Sequence, residues 1–253
     1  MSAILSGKVG LVTGAGSGMG AAIATRFAAE GASVALVDVD LGSAEAVASQ
    51  ITEAGGSARA FRADIGSSES VHELWNAVSE WSDRLDLLVN NAGVLDGYSP
   101  LLETDEQLWE RTLRVNLTGM FLVTRAFMPA LIASGNAAVV NTASVAGLVA
   151  NGGGVAYTSS KHGVIGFTKQ VAEDYGRSGV RVNAILPGAV RTSMTASMLD
   201  AGDPAVEAAL RGTLAQRAAN PDEIANLALF LASDQASFVY GAAYVIDGGW
   251  TVV

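Results

Sequence analysis

Residues 9–20 read Val9-Gly10-Leu11-Val12-Thr13-Gly14-Ala15-Gly16-Ser17-Gly18-Met19-Gly20, and they give the clearest indication of the fold. Its apolar start predicts a buried strand, its glycines predict a tight turn, and a helical pattern follows to Glu30. Free N–H groups and the dipole at the start of such a helix favour an anion, and glycines let a pyrophosphate approach closely. The stretch therefore predicts a dinucleotide site, although glycines also form ordinary turns between a strand and a helix. The predicted contacts are Gly14, Ser17, Gly18, Met19 and Gly20.

The second apolar run ends at Asp38, eighteen residues beyond the last glycine of the turn. An acidic residue at this place can accept hydrogen bonds from both hydroxyls of an adenosine ribose, and its charge repels a 2′-phosphate. Neither Ala15 nor Val39 supplies a cation that would offset this repulsion. We therefore expect NAD rather than NADP, the alternative being a solvated carboxylate at a strand end. Asp64 follows the third apolar run and either binds the adenine amine or caps a turn.

Short apolar runs alternate with longer helical patterns along the chain. Continuous apolar character, rather than strict alternation, is typical of parallel strands covered on both faces. We predict strands at 9–12, 33–37, 58–61, 85–89, 137–140, 180–185 and 243–246, the third at an edge of the sheet. We predict helices at 18–30, 42–54, 67–82, 104–134 (two helices), 155–176 and 221–233. This order predicts an α/β fold with a doubly wound, mostly parallel seven-stranded sheet of Rossmann type, in one domain over residues 1–253.

The composition narrows the class of protein. Hydrophobic residues make up 50% and charged residues 16% of the 253 residues, which is typical of a folded protein with a sizeable core. With no cysteines and two histidines, disulfides, thiolate nucleophiles and a metal site are not expected. The net charge of −10 argues against binding to nucleic acid or to an anionic membrane surface. No apolar run approaches the ~20 residues that cross a membrane, and residues 1–8 do not resemble a signal peptide, so we expect a cytoplasmic protein.

Two predicted helices are too apolar for ordinary surface helices. In residues 117–132 the apolar side chains spread around most of the helix circumference, and residues 155–176 combine small residues with apolar ones. A helix that is apolar on nearly all sides is buried or lies at an interface. We favour an interface between subunits of a homotetramer, and burial inside one subunit is the alternative.

Tyr157 and Lys161 stand four residues apart in a predicted helix, and Ser144 comes thirteen residues before the tyrosine, where a predicted strand ends. Positions i and i+4 of a helix share a face, so the phenol and the ammonium can point into the same space. A nearby cation favours the ionised phenol by lowering its pKa, and a hydroxyl could hold a substrate oxygen against it. The three residues predict proton transfer to or from an alcohol or a ketone. The alternative is an exposed tyrosine beside a solvated lysine.

Taken together, these motifs resemble those of the short-chain dehydrogenase/reductase family, in its NAD-preferring, single-domain branch, over almost the whole chain. Residues 13–20 are similar to the glycine motif of the family, and Asn90-Asn91-Ala92-Gly93 is similar to the motif after its fourth strand. Pro187-Gly188 with Thr192 resembles the segment that wraps the nicotinamide carboxamide, and Asp247-Gly248-Gly249 resembles the C-terminal motif. The resemblance implies a catalytic tetrad of Asn116, Ser144, Tyr157 and Lys161.

The family implies a role for each member of the tetrad. Tyr157 is the general acid/base, and Lys161 lowers its pKa and binds the nicotinamide ribose. Ser144 positions the substrate oxygen, and Asn116 holds a water that connects Lys161 with solvent. The implied activity is NAD(H)-dependent interconversion of a secondary alcohol and its ketone. Besides the glycine turn, the expected NAD contacts are Asp38, Asp64, Ile65, Asn91, Ala92, Gly93, Tyr157, Lys161, Pro187, Gly188, Val190 and Thr192.

The resemblance also implies a substrate lid at about 192–214. Flexible apolar side chains in this segment suit an irregular hydrophobic ligand, and simple packing of its methionines on the core is an equal alternative. We expect an uncharged, apolar or cyclic substrate. The predicted substrate contacts are Leu95, Ser144, Val145, Asn151, Val155, Tyr157, Met194 and Met198, with Trp250 reaching a neighbouring subunit's site.

Three other functions remain open. A 3-oxoacyl carrier-protein reductase would use the same tetrad, but such enzymes usually prefer NADP and dock an acidic partner, which Asp38 and the net charge disfavour. A lyase such as a halohydrin dehalogenase replaces the lysine and fills the nucleotide site, and both are intact here. A non-catalytic dinucleotide-binding regulator comes from a different class, and the complete tetrad disfavours it.

Overall fold

The structure is a computed structural model that describes residues 3–202 and 204–252. Seven strands form one sheet in the order β3-β2-β1-β4-β5-β6-β7, and all six pairings are parallel. The predicted Rossmann-type sheet is confirmed, with the third strand at an edge. The strands are β1 (Val9–Thr13), β2 (Ser33–Asp38), β3 (Ser57–Arg62), β4 (Leu87–Asn90), β5 (Ala137–Thr142), β6 (Val180–Pro187) and β7 (Ala243–Ile246).

Helices cover both faces of the sheet. Helices α1, α2 and α9 pack on one face through side chains such as Phe27, Ile51 and Leu231, while α3, α5 and α6 pack on the other. Strands that are buried on both faces need no polar side, which explains their continuous apolar sequences. The helices are α1 (Gly18–Ala29), α2 (Leu41–Glu53), α3 (Ser68–Trp81), α4 (Glu106–Leu113), α5 (Met120–Ser134), α6 (Val155–Tyr175), α7 (Ala196–Asp200), α8 (Pro204–Arg211) and α9 (Pro221–Ala232).

The order of the strands fixes where a ligand can enter. From β1 the chain moves outward to β2 and β3, and it then returns to place β4 on the other side of β1. In open parallel sheets, the reversal of strand order opens a crevice at the carboxyl ends of the two central strands. Here those ends are Thr13 of β1 and Asn90 of β4.

The two helices predicted at 104–134 are α4 and α5, and they follow each other in one continuous helical segment, residues 106–134. Helices α4 and α5 are joined by a π turn, Arg114–Gly119, whose flanking residues Leu113 and Met120 keep α-helical backbone angles. A π turn adds one residue to a helical turn, and such turns are frequent at functional sites. A Cβ on Gly119 would lie 2.9 Å from Cγ1 of Ile65, so the turn packs tightly on the loop after β3.

By length and composition this helical segment could span a membrane, contrary to the expectation from the sequence. Its apolar side is occupied, since Val123, Phe127 and Leu131 are buried in the core beneath the sheet. The core helix of a globular protein meets the same test of length and composition. Burial inside the chain therefore accounts for much of the apolar character that we assigned to a subunit interface, although Phe121 and Ile132 remain exposed.

Candidate active site

A cavity of about 1140 Å³ opens at the carboxyl ends of the strands, where β1 and β4 diverge. One side of it is the glycine turn after β1, and the opposite side is formed by α7, α8 and the loops around α6. A cavity of this size suits a small molecule together with part of a cofactor.

The glycine turn is shaped by close approaches that side chains would block. Gly14 and Gly18 have φ angles of 64° and 55°, in the left-handed region that favours glycine. A Cβ on Gly20 would overlap the carbonyl oxygen of Gly14, so this glycine lets α1 pack on the turn. Gly20 itself does not border the cavity. The hydroxyl of Ser17 lies 3.1 Å from that of Ser193 across the cavity.

Two asparagines at the end of β4, Asn90 and Asn91, hold the glycine turn and the neighbouring strand ends in place. The amide of Asn91 donates to the carbonyl oxygens of Thr13 (3.1 Å) and Gly14 (3.2 Å), while the Thr13 hydroxyl accepts from the backbone N–H groups of Asn91 and Ala92. The buried amide of Asn90 donates to Asn141 Oδ1 at 2.8 Å. The motif thus fastens the ends of β1, β4 and β5 to one another, which fixes the floor of the cavity.

Asp38 stands at the far end of the cavity with its carboxylate already oriented. Its Oδ2 accepts from the N–H of Gly16 at 2.9 Å, and its Oδ1 accepts from the N–H of Asp40 at 3.1 Å. Val39 beside it is 61% exposed and carries no charge. A carboxylate with free lone pairs at the end of β2 can accept the hydrogen bonds that the hydroxyls of an adenosine ribose donate.

Asp64 carries a contact that the sequence did not predict. Its carboxylate pairs with Arg114 of the π turn, with 3.1 Å between Oδ2 and Nη1. The backbone N–H of Gly66 donates to Oδ1 at 2.8 Å, so the side chain also caps the turn after β3. Asp64 and Arg114 both border the cavity.

Tyr157 and Lys161 lie in the first two turns of α6, and both border the cavity beside Ser144. Lys161 is 3% exposed; its Nζ donates to the carbonyl oxygen of Thr142 at 2.8 Å and lies 5.4 Å from the centre of the Tyr157 ring. The Ser144 hydroxyl accepts from the N–H of Ala146 at 3.1 Å. The i, i+4 spacing and the strand end therefore bring the three side chains together as predicted.

Burial governs the protonation of this pair. It raises the pKa of Tyr157 to about 12, against a hydrogen bond with Ser144 that lowers it. It also lowers the pKa of Lys161 to about 8. We expected Lys161 to lower the pKa of Tyr157, and in this structure desolvation outweighs any such effect. At neutral pH the phenol is protonated, which suits it to donate a proton.

Asn116, in the π turn, lies behind the wall of the cavity and does not border it. Its Oδ1 accepts from the N–H of Val94 at 2.8 Å, and its Nδ2 donates to the Val94 carbonyl at 3.0 Å and to the Ser160 hydroxyl at 3.1 Å. The residue thereby joins the loop after β4 to α6. These contacts support the cavity wall, whereas the water that we assigned to Asn116 stays a prediction.

Most other predicted cofactor residues also border the cavity. A Cβ on Gly18 would lie 3.0 Å from Cβ of Thr192, so the segment after β6 closes over the glycine turn. The glycine cradle, the Asp38 carboxylate and the Lys161 ammonium together fit a dinucleotide. The predicted residues that border the cavity are Gly14, Ser17, Gly18, Met19, Asp38, Asp64, Ile65, Asn91, Ala92, Gly93, Tyr157, Lys161, Pro187, Gly188, Val190 and Thr192.

The predicted substrate contacts fall on the other side of the cavity. Val155 is the exception, because it does not border the cavity and its N–H is held by the Ser99 carbonyl at 3.2 Å. Trp250, which we expected at a neighbouring subunit, borders the cavity of its own chain. The predicted residues in contact with this space are Leu95, Ser144, Val145, Asn151, Tyr157, Met194 and Met198.

Two residues near Tyr157 were not found from the sequence. Asp96 is a carboxylate 2% exposed, and Tyr98 borders the cavity with a φ angle of 59°. One signal was available, since the helix that carries Tyr157 begins after three glycines, residues 152–154, and has no capping side chain of its own. Such a helix needs an acceptor from elsewhere in the chain.

Metal ligands are sparse in this molecule. Within residues 3–202 and 204–252, histidine and acidic side chains form no group of three that could hold a metal ion. The charged groups that border the cavity are the carboxylates of Asp38 and Asp64, the guanidinium groups of Arg111 and Arg114, and the ammonium of Lys161.

Comparisons with known proteins agree on one family. Residues 14–251 match the family model described as "Enoyl-(Acyl carrier protein) reductase". The chain is 44% identical over 248 residues to a D-threitol dehydrogenase of Mycolicibacterium smegmatis, covering 98% of this chain and 94% of the relative. It is 38% identical over 251 residues to a cyclohexanol dehydrogenase of an Acinetobacter species, covering 99% and 98%. A solved structure of a putative NAD(P)-dependent gluconate 5-dehydrogenase from Beutenbergia cavernae, with bound NADP, matches with a TM-score of 0.94, at 36% identity and over 100% of both chains.

Proposed function

This chain belongs to the short-chain dehydrogenase/reductase family, and on that premise we propose that it uses NAD(H) to interconvert an uncharged secondary alcohol and its ketone. The observation that carries the proposal is the convergence of Ser144, Tyr157 and Lys161 on one cavity with the glycine turn and Asp38. The relatives of this chain include dehydrogenases named for threitol and for cyclohexanol, two molecules of different shape that both carry secondary hydroxyls.

Proton transfer is assigned to Tyr157. A protonated phenol with a pKa near 12 can give its proton to a carbonyl oxygen during reduction, and the same atom takes the hydroxyl proton during oxidation. Ser144 holds the substrate oxygen against the phenol, and Lys161 binds the ribose of the dinucleotide. When bound, the nicotinamide supplies hydride chemistry, while the protein supplies position and electrostatics.

The preference for NAD rests on Asp38. Its carboxylate is fixed by two backbone N–H groups at the end of β2, and the adjacent Val39 offers no positive charge. Placing a phosphate beside an unpaired carboxylate costs several kcal/mol. The relative from Beutenbergia cavernae was solved with bound NADP, which makes this preference a point to be tested in the present chain.

The substrate side of the cavity favours a neutral ligand. Met194, Met198 and Leu199 of the 192–214 segment border it, and such side chains adapt to apolar ligands of irregular shape. We propose that this segment is a lid on a single catalytic domain. The exposed Phe121 and Ile132 on α5 support assembly of the chain into a homotetramer. A chain that draws on the cellular NAD pool would work in the cytoplasm.

A 3-oxoacyl carrier-protein reductase is the second candidate. A relative from Thermotoga maritima that is named a 3-oxoacyl-[acyl-carrier-protein] reductase, and that is 36% identical over 248 residues, favours it. Such an enzyme must dock an acidic partner, and the net charge of −10 opposes this docking. A non-catalytic dinucleotide-binding regulator is less consistent with an assembled proton-transfer site.

One assay separates these functions. The protein is supplied with NAD and, separately, NADP at alkaline pH, with cyclohexanol, cyclopentanol, D-threitol and linear 2-alcohols as substrates, and reduced cofactor is followed by absorbance. A matching assay uses an acetoacetyl thioester with NADPH. We expect NADH formation with at least one cyclic or polyol substrate. Turnover of the thioester alone would support the reductase, and NAD binding without any turnover would support the regulator.

A further inference from the structure

The loop after β4 places a carboxylate beneath the start of α6. Asp96 is 2% exposed, and its side chain accepts hydrogen bonds from three backbone N–H groups. Oδ1 accepts from Gly154 at 2.9 Å and from Tyr98 at 3.2 Å, and Oδ2 accepts from Tyr157 at 2.8 Å. These partners are up to 61 residues away in sequence, so the carboxylate joins two separate segments of the cavity wall.

This carboxylate completes the N-terminus of α6. The N-cap residue is Gly154, which has no side chain to accept the N–H groups of the first turn. Tyr157 is the third residue of the helix, and its N–H is the one that an N-cap serine or aspartate normally binds. Asp96 supplies that acceptor from another segment, and its negative charge lies where the helix dipole favours it. A Cβ on Gly154 would lie 2.6 Å from Oδ2 of Asp96, so the glycine makes room for the carboxylate.

The same carboxylate holds Tyr98. This residue has a φ angle of 59°, in a region that costs a non-glycine residue free energy and persists only where neighbours fix it. Its N–H is bound by Asp96, and its side chain borders the cavity with 44% exposure. The phenols of Tyr98 and Tyr157 are therefore both placed by bonds from their own backbone to Asp96.

We propose that Asp96 is a positioning residue for the reaction, which caps α6 from outside the helix and holds Tyr157 and Tyr98 at fixed places around the substrate. This inference rests on the proposed function, because it assigns the proton transfer to Tyr157. It also makes Tyr98 a second hydroxyl in the wall of the substrate side.

If Asp96 acts on the reaction, its charge should affect the pKa of Tyr157. A residue that only supported the fold would not have this effect. The groups near the Tyr157 phenol that can affect its ionisation are Lys161, Ser144, Tyr98 and Asp96. Negative charge on Asp96 raises the pKa of Tyr157, in the same direction as burial. Removing that charge should move the ionisation of Tyr157 to lower pH, even where the backbone stays in place.

The variants Asp96→Asn and Asp96→Ser test this, the second retaining a hydroxyl acceptor should the first fail to fold. Asp105→Asn is the matched control, because Asp105 caps α4 by accepting from the N–H of Leu108 at 2.7 Å and is exposed away from the cavity. With NAD and an alcohol that the parent oxidises, we expect kcat at neutral pH to fall on the order of 10- to 100-fold in the Asp96 variants. The pH profile of kcat should move to lower pH in these variants, while Asp105→Asn should keep the parent's kcat and profile.

Hydrogen exchange gives a readout that does not depend on activity. In the Asp96 variants the amides of residues 96–99 and 154–158 should exchange faster, with the amides of the central strands unchanged. Faster exchange with no parent activity toward any alcohol would support the positioning role and refute the proposed function. Unchanged exchange, or a loss of kcat without a shift of the pH profile, would overturn the role of Asp96 instead.

Discussion

The two sides of the cavity are built in different ways. The dinucleotide side is backbone: the left-handed Gly14 and Gly18, and N–H groups that orient Asp38. The substrate side is made of side chains on short helices, with Met194 46% exposed and α7 fixed by an exposed ion pair between Arg191 and Asp200. Exposed ion pairs of this kind contribute little to stability. A site that binds its ligand through backbone groups can bind the same ligand in many sequences, because substitutions leave the backbone groups in place. A site lined by side chains can change its ligand when those side chains are substituted.

Tyr157→Phe should have the largest effect, and it should separate the chemistry from the dinucleotide side. The change removes the exchangeable proton and keeps the ring. We expect kcat to fall about 10³-fold or more, with the Kd for NADH, measured by fluorescence titration, within about twofold of the parent. Activity within tenfold of the parent would end the assignment of Tyr157 as the acid/base.

The double change Asp38→Ser with Val39→Arg acts on the dinucleotide side alone. The parent should prefer NAD over NADP by about 100-fold or more in kcat/KM, and the variant should narrow or reverse this ratio because a guanidinium replaces a repelling carboxylate. The KM for the alcohol should stay unchanged. Arg62→Ala is the control, since Arg62 lies opposite Asp38 in the β2–β3 ladder. If the parent uses both cofactors equally, and Arg62→Ala removes its use of NADP, Arg62 binds the phosphate and Asp38 is not the selector.

Lys161 contributes to both sides of the cavity. Its burial should affect how the free energy of unfolding varies with pH. Its pKa is lowered from 10.5 to about 8, so between these values the unfolded chain binds more protons and stability rises with pH. Above pH 10 the raised pKa of Tyr157 reverses the trend, because the folded chain then holds the extra proton. From pH 7 to 9.5 the parent should gain about 1–2 kcal/mol relative to Lys161→Met in urea unfolding. Parallel curves for the two proteins would show that Lys161 is not desolvated.

Met198→Ala should have the smallest effect, confined to the substrate side. Loss of an apolar contact worth about 1 kcal/mol would raise the KM of a cyclic alcohol roughly fivefold, with the KM for NAD unchanged. Leu214→Ala is the control, because Leu214 lies in the same segment but outside the cavity and is 69% exposed. Equal changes in the KM of the alcohol for the two variants would mean that Met198 merely packs this segment onto the core.

The sequence predicted those parts of the fold and site that depend on local pattern. The strands and long helices were placed within about two residues, because apolar runs and helical periodicity are read over short windows. The π turn was missed, since one extra residue disturbs the helical repeat too little to show. The short helices α7 and α8 were also missed, each being of eight residues or fewer.

For the site, the residues that could be found from the sequence are those that lie in local motifs. The glycine turn, Asp38 and the Tyr157–Lys161 pair are each defined within a single strand end or helix turn. Asp96 and the contacts of Asn116 depend on partners 22 to 61 residues away, which no local pattern records. The raised pKa of Tyr157 likewise follows from how deeply the folded chain buries the phenol, and residue spacing says nothing about that.

The π turn also determines which way the side chains of α4 point relative to those of α5. One added residue rotates everything before it by about 100° relative to an unbroken α-helix. Arg111 and Arg114 consequently border the cavity, while Phe127 and Leu131, further along the same rod, pack into the core. A deletion of one residue between positions 114 and 119 would bring the two halves back into register and turn the arginines away from the cavity. A single inserted residue thus allows one continuous helical segment to place arginines at the cavity and apolar side chains in the core.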